Sequence, residues 1–107
     1  MRDSRDTEAM EAAFNAVDPD RLLPGEDPNS WRSDDVRHWI AVYSELLATK
    51  TEILEKNRAN LEAATSDAVR DELGGDQTLL TAEVNRFRRR MRFWLERQNA
   101  VLGWDAS

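Results

Sequence analysis

The stretch Ser33–Gly75, SDDVRHWIAVYSELLATKTEILEKNRANLEAATSDAVRDELGG, decides the fold. It holds no proline, and no glycine before Gly74. Ile40, Leu47, Leu54, Leu61 and Ala68 recur every seven residues without a slip. With Val36 and Tyr43 they form an apolar stripe at helical spacing. Ser33 is a candidate N-cap (Ser30 the alternative), and Asp34 and Asp35 place negative charge in the first turn, where the helix dipole favours it. The reading is one helix over about 33–73, far longer than the globular average and of coiled-coil or hairpin length.

Gly74-Gly75 is read as the turn, because glycine takes the left-handed conformation after a helix C-terminus at no steric cost. A phosphate-binding loop is excluded there, since no strand precedes the glycines and no Gly-x-Gly or Gly-Lys pattern surrounds them. A second helix follows over about 77–102, with Asp76 as its cap. Leu80, Val84, Phe87, Met91, Trp94, Gln98 and Val101 alternate in steps of four and three, a heptad seam.

A short turn makes the two helices antiparallel neighbours. With the turn at Gly75, residue i faces about residue 150 − i. Phe87 then meets Ala63, Met91 meets Ala59, Arg88 comes near Glu62, and Arg97 near Glu52 or Glu55. In that register the second helix stops short of Val36, Trp39, Ile40, Tyr43, Leu46 and Leu47, leaving the most apolar stretch uncovered. Two isolated helices bury too little surface to offset their ordering entropy. The expectation is therefore a homo-oligomer, a dimer closing into a four-helix bundle.

Residues 1–30 stand apart as an acidic arm, with three arginines against eight acids, a net of −5. Met10, Phe14 and Val17 share one face of a short helix that must end before Pro19. Pro19, Pro24-Gly25 and Pro28 follow in an irregular connector. Two readings stand: a solvated acidic tail, or an arm that docks through Phe14, Val17, Leu22 and Leu23.

The rest of the charge is uneven. Residues 31–75 carry a net of −3 and residues 76–107 a net of +2, within a total of −6. The segment Arg86–Arg97 holds six arginines and one glutamate in 12 residues, with Phe87, Phe93 and Trp94 interleaved. Such a helix can track phosphates and stack on bases. Most of its aromatics, however, belong to the seam. Arg86, Arg89 and Arg92 point outward as candidate phosphate or partner contacts, and Phe93 stands off the seam as a candidate interface residue.

Composition excludes much chemistry. There is no cysteine, hence no disulfide, thiolate nucleophile or cysteine zinc site. The one histidine, His38, argues against a histidine metal site or a Ser-His pair, and reads as a rim residue. Glu52 with Glu55 and Asp67 with Asp71 lie at helical spacing, but Glu-x-x-His, the di-metal bundle signature, does not occur. No catalytic residue, cofactor or metal site is assigned. No apolar run is long enough to span a membrane, and the start lacks the apolar core of a secretory signal. A cytoplasmic protein is expected, and arginine outnumbering lysine 13 to 2 suggests a GC-rich bacterial genome.

These readings converge on an all-α fold: an arm over 1–30 and a helical hairpin over 31–107. The expected function is that of a non-catalytic oligomeric interaction or scaffold protein, a regulatory accessory. Trp31, Val36, Trp39, Ile40, Tyr43, Leu47 and Phe93 form its interaction surface. The alternative is a nucleic-acid-associated regulator using the Arg-rich helix.

Overall fold

The computed structural model describes residues 18–106, which hold two α-helices and no strand. Helix α1 spans Ser33–Ala63 and α2 spans Asp67–Ala106. They run antiparallel as a hairpin, and a connector over 18–32 lies along one side of it. The predicted helix through Met10, Phe14 and Val17 falls outside the described residues. No described helix is long and apolar enough to cross a membrane.

The turn is not at the glycines. Ala64 takes an extended conformation (φ −67°, ψ 131°), its N–H donating to the Leu61 carbonyl at 3.3 Å. Ser66 then caps α2: its Oγ accepts the Val69 N–H at 3.4 Å, and Asp67 occupies the first turn. Arg70 closes the corner by donating Nη2 to the Ala64 carbonyl at 2.8 Å. Ala64-Thr65-Ser66 is thus a complete stop and start without glycine. Gly74 and Gly75 lie inside α2, and neither has a positive φ. The seven-residue repeat masked the break, because Ala68 continues it on the far side of the corner.

This correction changes every pairing. Lys50 Nζ meets Glu83 at 3.0 Å, and Asn57 donates to Gln77 Oε1 at 2.9 Å and to the Leu73 carbonyl at 3.0 Å. Tyr43 and Phe87 have ring centroids 5.9 Å apart. Residue i therefore faces about residue 132 − i, as a corner at Thr65 requires. The expected pairs of Phe87 with Ala63, Met91 with Ala59, Arg88 with Glu62 and Arg97 with Glu52 or Glu55 do not form.

With 40 residues, α2 runs the full length of the 31-residue α1. The stretch expected to lie open is covered by the same chain. Val36, Trp39 and Tyr43 from α1 are buried against Phe87 and Trp94 from α2, and Leu23 of the connector packs on that cluster. Val84 and Val101 are also buried. The uncovered end that motivated a second chain is therefore absent. Toward the corner the seam turns polar, through Lys50 and Asn57.

The start of α1 differs in detail from expectation. Arg32 holds the N-cap position without a side-chain bond, and Ser33 is the first helical residue. Ser30 Oγ donates to Asp35 Oδ2 at 2.6 Å instead, tying the connector to the first turn.

The connector itself is three successive turns, each with proline in its second position. Arg21 N–H donates to the Asp18 carbonyl across Pro19, Glu26 N–H to Leu23 across Pro24, and Ser30 N–H to Asp27 across Pro28. Proline sets the backbone for that position in advance. Asp18 and Asp27 reinforce the outer turns by accepting the Asp20 and Asn29 N–H groups at 3.0 and 2.9 Å. In the middle turn Gly25 has φ +82°, the left-handed value that a proline–glycine type II turn requires.

Candidate functional site

The middle turn presents Glu26, whose side chain is buried between the helices. Its carboxylate accepts five hydrogen bonds. Oε1 takes the Tyr43 hydroxyl and the Leu23 N–H, the latter at 2.9 Å. Oε2 takes Trp94 Nε1 at 2.7 Å, Arg90 Nη2 at 2.8 Å and Arg90 Nε at 3.2 Å. The Arg90 and Glu26 side chains are 8% and 0% exposed, so this ion pair is shielded from water. A charge so placed is tolerable only because it is paired and fully hydrogen-bonded.

The electrostatics follow from this geometry. Burial works to raise the Glu26 carboxyl, but Tyr43, the Leu23 N–H, Trp94 and Arg90 together outweigh it and hold it below the usual carboxylate range. Burial raises the Tyr43 phenol strongly, and the Glu26 bond and charge add to this against the opposing pull of Arg90.

Around this centre the Arg-rich helix is used unevenly. Arg86 is buried, with its guanidinium 4.8 Å from the Phe87 ring centroid, and its Nε has no hydrogen-bond partner. Burial and the nearby Arg21 charge pull its pKa down, against the pull of Tyr43, Glu83 and Asp18. Arg89 pairs with Asp20 of the connector at 3.0 Å. Arg92 is exposed on the other side of α2. The three arginines expected to act as one outward patch therefore go to three environments. Arg97, which flanks the seam, stacks on Trp31 at 3.8 Å and donates to the Ser30 carbonyl at 2.6 Å.

The expected interaction surface is likewise divided. Val36 (1% exposed), Trp39 (9%) and Tyr43 (0%) are core residues. Phe93 is half-buried, edge-on to Trp94 at 5.1 Å and beneath the guanidinium of Arg90 at 4.5 Å. Trp31 is 45% exposed over Arg97. Ile40 and Leu47 are half-buried. Of the connector's two leucines, Leu23 packs on the core and Leu22 is 37% exposed.

Leu47 belongs to a different feature, a groove of about 600 Å³ lined by Leu47, Ala48, Thr51, Arg88, Met91, Arg92 and Leu95. The connector's partners on α2 include Arg89, Arg90, Trp94 and Arg97, whereas the groove takes Arg88, Arg92 and Leu95. A step of two residues rotates a helix by about 200°. The groove therefore lies on the face away from the connector. Leu95 is 39% exposed there.

Sequence reasoning missed Glu26. The available signal was Tyr43 and Trp94 on one apolar seam, since both need a partner for their polar ends when buried. No group of histidine, cysteine or acidic residues suited to a metal occurs among the described residues. Comparison with family models, with curated proteins and with solved structures finds no match to the chain.

Proposed function

We propose that the chain is a non-catalytic interaction protein that self-associates through the face away from the connector, two hairpins closing into a four-helix bundle. The observation that supports this reading is the groove between α1 and α2. Half-buried Leu47 and Met91 and exposed Leu95 leave an apolar stripe there that no other described residue covers. Ala41, Ser44 and Ala48 on the α1 edge are small and exposed, which lets another helix approach closely. The rims are oppositely charged, with Glu55 on the α1 edge and Arg88 and Arg92 on the α2 edge. Two copies related by a two-fold axis set each acidic rim against a basic one. The radius of gyration is 17.6 Å, against about 13 Å for a compact domain of this length. A hairpin this extended has one layer and gains most from a second.

Light scattering tests the proposal. The wild type is expected to scatter as a dimer at micromolar concentration, and Leu95→Glu as a monomer that keeps its helical circular dichroism. A wild-type monomer overturns the reading. The nucleic-acid alternative draws less support, because Arg86 is buried and Arg89 is paired within the chain.

A further inference from the structure

Four of the five hydrogen bonds to Glu26 come from the hairpin, through Tyr43, Trp94 and the Nε and Nη2 of Arg90. The receiving pocket is thus built by α1 and α2. Its seam residues, Tyr43 and Trp94, are set by helix pairing, whereas its occupant is a short turn from outside the helices. The pocket also has cationic capacity left over. Arg86 lies nearby, 7% exposed, with a buried Nε that nothing bonds. Arg21 of the connector repels it, while Asp18 and Glu83 attract it without an ion pair. The other ion pair of the connector among the described residues, Asp20 to Arg89, is solvent-exposed and weak by nature, and Arg97 adds its stack on Trp31 and its bond to the Ser30 carbonyl.

We infer that the Tyr43–Arg90–Trp94 pocket is a receptor for an acidic, leucine-bearing peptide segment of a partner protein, and that the connector is a built-in competitor for it. The peptide's carboxylate takes the place of Glu26, its leucine that of Leu23, and a second acidic group meets Arg86. A tethered competitor acts at an effective concentration in the millimolar range, so the closed chain conceals the site. Self-association uses the opposite face and stands or falls separately.

The test uses the full chain with Glu26→Ala, and with Glu26→Gln as a nearly isosteric second variant. The probe is a labelled synthetic peptide of residues 18–32, read by fluorescence polarisation. Both variants are expected to bind it at least about tenfold more tightly than the wild type. A peptide carrying glutamine at position 26 should fail to bind. Adding Arg86→Met should weaken binding of the acidic peptide. Acetate should raise the melting temperature of Glu26→Ala, relative to chloride at equal ionic strength, and leave the wild type unchanged. Helical variants that bind the peptide no better than the wild type, or bind both peptides equally, overturn the inference. So does unfolding of both variants, because the pocket would then not exist without its strap.

Discussion

Glu26 and Trp94, 68 residues apart in the chain, are joined by a 2.7 Å hydrogen bond from Nε1 to Oε2. That bond fastens the connector to the second half of α2, and Arg90 and Tyr43 complete the fastening on the same carboxylate. Removing Glu26 leaves a buried guanidinium without its counter-ion. Glu26→Ala is expected to cost about 3–5 kcal/mol in a denaturant titration, the usual penalty for breaking a buried pair from one side. Tyr43→Phe removes one donor and keeps the ring, and should cost about 1 kcal/mol.

The same carboxylate sets a pH dependence. Its folded pKa is lowered, so its contribution is fully present above the unfolded carboxylate value of about 4.5 and is lost as pH falls through the folded value. The stability gap between wild type and Glu26→Gln should therefore narrow below about pH 4.5 and stay constant from there to neutrality. Comparing the two proteins cancels the remaining carboxylates. Tyr43 has the opposite sign. Its raised phenol favours the folded state below its ordinary value of about 10, and that contribution is lost at higher pH. Tyr43→Phe should abolish this alkaline loss.

Position of the corner predicts opposite signs for two kinds of substitution. A Cβ at Gly74 or Gly75 meets nothing within 4 Å, and both residues are helical. Gly74→Ala and Gly75→Ala should each stabilise the chain by about 1 kcal/mol through helix propensity. Ser66→Ala should cost about 1 kcal/mol through the lost cap. Destabilisation by alanine at the glycines would return the turn to them.

Arg86 and Arg90 are equally buried one helical turn apart, yet only Arg90 has a carboxylate partner. Arg90→Met strands Glu26 and should cost about 3 kcal/mol or more. Arg86→Met deletes a buried donor that has no acceptor while keeping an apolar stem, and should leave the melting temperature unchanged or raise it.

What could be read from the sequence, and what could not, divides along physical lines. The helical type of both long segments and the seam from Leu80 to Val101 follow from periodicity, because burial of one face imposes it locally. Register does not, because an antiparallel pair of heptad seams can slide. Only the corner selects one alignment, and Ala64-Thr65-Ser66 marks it by a cap bond, not by composition. Glu26 was hidden for another reason. One acid among several in a proline-rich segment looks solvated until Tyr43, Arg90 and Trp94 are brought to one point, and that depends on the register.

The fastening also makes the two ends of the molecule mechanically unequal. It closes the chain from residue 26 to residue 94 into one loop, so the helices cannot part at that end without first ejecting the strap. At the far end the helices are held by a three-residue corner, the Arg70 bond to Ala64 and the polar contacts of Lys50 and Asn57. Amide protection should fall along the hairpin from Tyr43 and Trp94 toward Leu61 and Val69, a stiffness gradient with its soft end at the tip.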